Sequence, residues 1–300
     1  MSRFINPFTD VGFKRIFGQE VNKDLLIDFL NGLLYGERHI EDLTFLDKEQ
    51  LPDLSTTADR SLIYDIYCRT STGEHIIVEM QNKSQNHFKE RAVYYMSNSI
   101  VNQGKRGDWK YDVKAVYGVF FMNFATANFP NKFRTDVALM DMQDKEIFSD
   151  RIRMTFIQLP LFHKEVDDCK NDFERWIYVL KNMENLNRMP WGAQDAVFKK
   201  LFEIADVASM TPRERDMYNN SLKVYRDGLV VYDAAVEEGM QKGMQEGMQK
   251  GMQEGMEKGM QKGMQEEKIQ TARRLKAMNM NVDTIAQATG LSAEEIARIE

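Results

Sequence analysis

Residues 62–83 read LIYDIYCRTSTGEHIIVEMQNK, and the reading of this stretch decides the fold. Leu62–Cys68 and His75–Gln81 are rich in Ile, Tyr and Val, while the residues between them, RTSTGE, are turn formers, so the pattern predicts a β-hairpin. A three-residue loop at Ser71-Thr72-Gly73 centres the hairpin on position 72. Asp65 and Glu79 each lie seven residues from that centre and are expected to oppose one another, with Cβ atoms roughly 5 Å apart. Ile63, Asp65 and Tyr67 share one face of the first strand, and Ile77, Glu79, Gln81 and Lys83 share one face of the second. Both acids interrupt apolar strands, where an unpaired charge is expensive and each carboxylate raises the other's cost of ionising. A hard divalent cation resolves that conflict, because Mg²⁺ takes carboxylate and water oxygens. Gln81 projects beside the pair and can hydrogen-bond a water or a phosphate oxygen. The competing reading is two acids on a solvated hairpin edge.

Outward from the hairpin, Lys23–Tyr35 places Leu25, Leu26, Phe29, Leu30, Leu33 and Leu34 on one helical face, with Gly36 as a stop. A short strand is expected at Leu43–Leu46, followed by loop through Pro52. After the hairpin, Phe88–Val101 has helical character, with Ala92, Tyr95, Met96 and Ser99 on a common side, ended by Gly104 and Gly107. Val113–Met122 and Ile152–Leu159 read as further apolar strands. A helix between the hairpin and the third strand makes the fold α/β or α+β and excludes an all-β barrel. Residues 81–114 hold seven Lys/Arg against three Asp/Glu, so any polyanion contact is expected there. Lys83, Lys89 and Arg91 follow the acids closely enough to hold a phosphate backbone. The four His residues are too scattered for a zinc cluster, although His87 could approach the acids from the start of the helix.

The 300 residues suggest about two domains. A net charge of -6 argues against a globally basic nucleic-acid coat. Cys68 and Cys169 stand far apart with no CxxC spacing, which suggests neither a disulfide scaffold nor a cysteine zinc site. MSRFINPFTD has no apolar run resembling a signal peptide, and no stretch approaches 18 apolar residues. A cytoplasmic protein with no membrane contact is therefore expected. Residues 1–160 form the expected core. Residues 161–236 read as a helical extension or cover, with a new start at Thr211-Pro212-Arg213-Glu214 and with Trp176 and Tyr178 in the core or an interface. In residues 237–268 a Gly-Met pair recurs every four residues from Gly239 to Met264. Its Met stripe drifts about 40° per repeat on a helix, so it is no heptad seam. Repeated Gly opposes helix formation, which favours a flexible spacer; the alternative is a helix formed on self-association. Residues 269–300 read as helix, Gly-containing turn, helix, with a Ser292/Glu295 capping box: a helix-turn-helix-like tail or a small helical hairpin.

Asp65, Glu79-Met80-Gln81, the N-terminal stretch Asn6-PFTDVGFKRIFG, LLIDFLNGLL and FKERAVYYMS together resemble the recombination-promoting nuclease (transposase) family of the PD-(D/E)xK nuclease superfamily. The resemblance covers residues 1–235, and the repeat and small tail are similar to the C-terminal regions of many members. It implies a restriction-endonuclease-like core with a mixed central sheet flanked by helices, whose two acids bind Mg²⁺, with Mn²⁺ as a substitute. On it, Asp65 corresponds to the motif aspartate and Glu79 to the second acid. Gln81 stands where the superfamily pattern has Lys, so the missing charge falls to Lys83, Lys14 or Lys89. Asp10, Lys14 and Arg91 fit the family's sequence boxes by pattern. The expected activity is a Mg²⁺-dependent DNA endonuclease promoting recombination or acting on mobile or foreign DNA. Asp65 and Glu79 hold the metal, Gln81 and Lys83 complete the catalytic set, and Lys89 and Arg91 grip phosphate, with self-association through the repeat. The alternative is a catalytically weak DNA-binding or protein-interaction module of the same fold. A DDE transposase would need three acids in a ribonuclease-H-like order, which this spacing does not supply.

Overall fold

The hairpin forms on the register that its turn dictates. Strand β4 (Ile66–Thr70) pairs antiparallel with β5 (His75–Gln81), Ile66 opposite Val78 and Arg69 opposite His75, which is symmetry about position 72. A computed structural model describes residues 2–50, 62–104, 107, 110–188, 190–191 and 195–299. Ahead of the hairpin come α1 (Asp10–Phe17), α2 (Lys23–Leu33), β1 (Leu43–Phe45), β2 (Glu49–Gln50) and β3 (Leu62–Ile63); the loop expected around Pro52 lies outside the described residues. After it come α3 (Phe88–Val101), β6 (Val116–Met122), β7 (Arg134–Met140) and β8 (Ile147–Gln158). Helices α4 (Asp172–Asn182), α5 (Ala196–Ala205), α6 (Pro212–Ala277), α7 (Val282–Thr289) and α8 (Ala293–Ala297) complete the chain.

Six strands make one mixed sheet in the order β1-β4-β5-β6-β8-β7, with β5, β6 and β8 mutually parallel and the other pairs antiparallel. The α3 segment supplies the crossover that a parallel β5–β6 pair requires. Every residue of β6 is buried, as expected of a strand covered on both faces. Alternation along β5 divides the interior. Ile76 and Val78 enter a core with Phe29, Trp176 and Phe198, beneath α1, α2, α4 and α5. Ile77 enters a second core with Ala92 and Met96 of α3 and with Phe120 and Phe156. Glu79 and Gln81 are in step with Ile77 and therefore belong to the α3 side of the sheet.

Three elements differ from the sequence reading. The strand expected at Leu62–Cys68 breaks at Tyr64-Asp65, so that β3 pairs with β2 in a separate two-stranded ladder; the Asp65 carboxylate there takes a backbone N–H that a ladder carbonyl would otherwise take. Strand β7 was not anticipated. It is an edge strand, RTDVALM, whose residues are half-buried or exposed, with no residue fully buried. Residues 239–264 are helical throughout, where the sequence favoured a flexible spacer, although each Gly costs about 1 kcal/mol relative to Ala. The helix is already nucleated on both sides of the repeat, and Gln, Glu, Lys and Met are good helix formers, so only propagation is required.

The N-terminal box is built for packing. The Asn6 side chain accepts from Phe8 N–H (2.8 Å) and donates to Glu184 (2.6 Å), and Thr9 caps α1 at Gly12. A Cβ on Gly12 would sit 2.2 Å from the Asn6 carbonyl oxygen, so no larger residue fits there. The Tyr218 hydroxyl accepts from Asn6 N–H at 2.7 Å, tying the box to the first turns of α6.

The chain divides into two units, residues 1–230 and 231–300. In the second, Ala272, Ile285, Leu291, Ile296 and Ile299 form a small core. Gly290 turns the chain in the left-handed region (φ 69°), and Ser292 and Glu295 make the reciprocal capping box. Among the described residues no helix is long and apolar enough to cross a membrane.

Candidate active site

Asp65 occupies the bend between β3 and β4, and Glu79 lies near the end of β5, where only 4% of it is exposed. The two acids hold each other's strand. Asp65 N–H donates to Glu79 Oε1 at 3.1 Å, and Met80 N–H donates to Asp65 Oδ2 at 2.8 Å. Asp65 Oδ1 and Glu79 Oε2 have no hydrogen-bond partner among the described residues, and neither acid forms an ion pair there. Burial, and secondly the charge of Asp65, push the Glu79 carboxyl up to about 8. Burial likewise raises Asp65, against the Met80 N–H and the positive charge of Lys14. Two neighbouring carboxyls held this way resist joint ionisation until a cation joins them.

Positive charge reaches the pair from two sides. From α1, Lys14 lowers Asp65 while paired to Asp10 at 2.5 Å, so these two residues of the N-terminal box do lie by the acids. Lys48, which the sequence reading missed, contributes beside them: its carbonyl accepts Tyr64 N–H at 3.0 Å, one residue from Asp65, and its charge also lowers Asp65. Burial and the neighbouring Lys14 depress the Lys48 ammonium itself. No spacing marks Lys48, because it sits in an irregular segment before a two-residue strand. From α3, Arg91 lowers Glu79. Its guanidinium donates to Gln85 (2.6 Å) and lies over the Phe88 and Tyr95 rings, leaving one nitrogen buried without a partner.

The remaining candidates disperse. Gln81 is half-buried at the end of β5, two residues beyond Glu79 on the same side of the strand. Lys83 turns to α6, where its ammonium would lie 2.8 Å from a Cβ on Gly228. Lys89 lies over the Phe129 ring and, with exposed His87 and Phe124, lines a cleft of about 370 Å³ at the start of α3.

Among the described residues no three His, Cys, Asp or Glu side chains gather in a metal-holding cluster. The pair nevertheless fits a hard divalent ion: two adjacent carboxylates, each with one oxygen unbonded among the described residues, and a cation of this kind takes water for the rest of its shell. No curated protein and no solved structure gives a match to the chain. A family model described as PD-(D/E)XK nuclease family transposase matches residues 7–235, about three quarters of the chain. That span takes in the N-terminal box, the bend with Asp65, the Glu79 strand, the basic helix and the first turns of α6, and on it this chain belongs to the PD-(D/E)XK nuclease family transposases.

Proposed function

We propose that the chain is an endonuclease that hydrolyses phosphodiester bonds of DNA with Mg²⁺, for which Mn²⁺ substitutes, in recombination or in the processing of mobile or foreign DNA. The observation that carries this reading is the reciprocal pinning of Asp65, half-buried, and Glu79, buried, two acids without an ion-pair partner among the described residues. When bound, a divalent cation polarises the scissile phosphate and acidifies a water that it holds. Asp65 and Glu79 present one free oxygen each to that ion, their other oxygens being fixed by backbone N–H groups. Gln81 orients the attacking water by hydrogen bonding. It brings no charge, and Lys14 and Lys48 supply the positive field at Asp65 that a lysine at position 81 would have given. Arg91 favours the ionised form of Glu79 against its burial, while Lys89, at the rim of the cleft, grips a phosphate without reading bases.

Supercoiled plasmid incubated with the full chain tests the proposal. Nicked or linear product in Mg²⁺, none with chelator and none from Asp65→Ala, is the expected result. Equal cleavage by Asp65→Ala would remove these residues from the reaction, and DNA binding without cleavage by the wild-type chain would favour a binding module of the same fold.

A further inference from the structure

The repeat presents a helix face that none of the described residues covers. Met240, Met244, Met248, Met252, Met256, Met260 and Met264 are all more than half exposed, and a Cβ built on any of the seven repeat glycines would meet no atom within 4 Å. The residue before each Gly carries the information about what covers this face. From 238 to 258 these residues are Glu238, Lys242, Glu246, Lys250, Glu254 and Lys258, strictly alternating in sign, and Lys262, before the last Gly, lies outside the alternation. Read from the other end the series inverts: about Met248, Glu238 corresponds to Lys258, Lys242 to Glu254 and Glu246 to Lys250. A series that is its own complement on reversal matches an antiparallel copy of itself.

We propose that this segment is a homodimerisation helix, in which the repeats of two copies pair antiparallel about a two-fold axis at Met248. In an antiparallel helix pair each flank of the contact meets the same flank of the partner, whereas in a parallel pair opposite flanks meet. On the repeat, with 100° between residues, the charged position lies 100° to one side of its Gly and Met lies 100° to the other. Antiparallel pairing therefore brings the charged flank onto itself, with every Glu opposite a Lys, and brings Met onto Met around a central line of Gly. Parallel pairing would set the charges against Met and leave the alternation without use. The Gly line lets the two backbones approach closely, as in small-xxx-small helix pairs. A period of four exceeds 3.6, so the contact winds right-handed, one turn in about 54 Å of helix. The pairs Lys242–Glu238 (2.7 Å) and Lys258–Glu254 (3.8 Å) within one helix are exposed, and such pairs are weak enough to be shared with a partner. This inference is independent of the nuclease reading.

The test is sedimentation and light scattering of the full chain across micromolar concentrations. The wild-type mass should double with concentration. Replacing Lys242, Lys250 and Lys258 by Glu, or Glu238, Glu246 and Glu254 by Lys, should shift the midpoint of dimerisation upward at least tenfold in each variant, and an equimolar mixture of the two variants should restore it. Orientation is read by cross-linking, since native Cys68 and Cys169 are buried. Met248→Cys should form a disulfide dimer with itself, and Met240→Cys should do so only with Met256→Cys. A wild-type chain monomeric throughout, charge variants that associate as the wild type does, or self-cross-linking by Met240→Cys as readily as by Met248→Cys would each overturn the proposal.

Discussion

Replacing Glu79 by Gln should stabilise the protein in the absence of metal, although Glu79 is central to the proposed site. The ionised carboxylate is buried beside Asp65, and its pKa rises from 4.5 to about 8. At about 1.4 kcal/mol for each tenfold change in proton affinity, the ionised form carries a penalty of roughly 3–5 kcal/mol. The sign follows from linkage. A carboxyl raised on folding holds a proton that the unfolded chain releases, so its contribution is complete below about pH 4.5 and is lost as pH rises through about 8. Gln keeps an oxygen for Asp65 N–H and never ionises. In EDTA the two proteins should therefore melt together near pH 4.5, and at pH 8.5 Glu79→Gln should be more stable by about 3 kcal/mol. For a folded unit of this size that is roughly 6–12 °C in Tm. Saturating Mg²⁺ should reverse the order, because binding stabilises only the chain that retains both carboxylates. Thermal unfolding followed by circular dichroism from pH 4.5 to 8.5, with and without Mg²⁺, makes the comparison. A Gln variant less stable by the same amount at every pH would show that Glu79 is already satisfied as an anion, and the reasoning would fail.

Gln81→Lys should preserve or increase plasmid cleavage, and Gln81→Ala should reduce it while Mg²⁺ affinity measured by calorimetry stays unchanged; lost affinity in the Ala variant would place Gln81 among the metal's ligands. Lys89→Glu should weaken binding to unrelated DNA sequences alike and lower the slope of log affinity against log salt by about 1, since a phosphate contact releases counterions without reading bases; loss confined to one sequence would contradict that role. Arg91→Ala should shift the pH at which Mg²⁺ binds upward, because the cation that favours ionised Glu79 is gone; an unchanged binding profile would assign Arg91 to packing alone. Gly12→Ala, whose new methyl would overlap the Asn6 carbonyl, should cost about 1–3 kcal/mol in urea unfolding, and an unchanged midpoint would remove the N-terminal box from the account of stability.

The hairpin was legible because its information is local. A turn at 71–73 and the period of two fix the register, and Asp65 and Glu79 are found tied together as that register requires. The helices Lys23–Leu33 and Phe88–Val101 were legible from apolar spacing over several turns. Strand β7 was not, since an edge strand buries too little to need an apolar alternation. Lys48 was invisible for a different reason: its relation to Asp65 is made by the pairing of β2 with β3 and by the Tyr64 N–H bond to its carbonyl, none of which has a residue-type signature. Lys83 shows the converse. Strand alternation carries it to the acid side, but the chain leaves β5 at Gln81, and its ammonium packs on Gly228. The Gly count was a poor guide to the repeat because propensity is summed over isolated residues, whereas a helix nucleated on both sides needs only to propagate.

The central claim is that Asp65 and Glu79 together seat a divalent cation. Anomalous diffraction from crystals of the full chain grown with Mn²⁺ addresses it directly. The account predicts one strong anomalous peak at about 2.0–2.3 Å from a carboxylate oxygen of each residue, absent from crystals of Asp65→Ala grown the same way. A peak elsewhere with both acids still bonded only to backbone N–H groups, or a peak between them that survives Asp65→Ala, would contradict it.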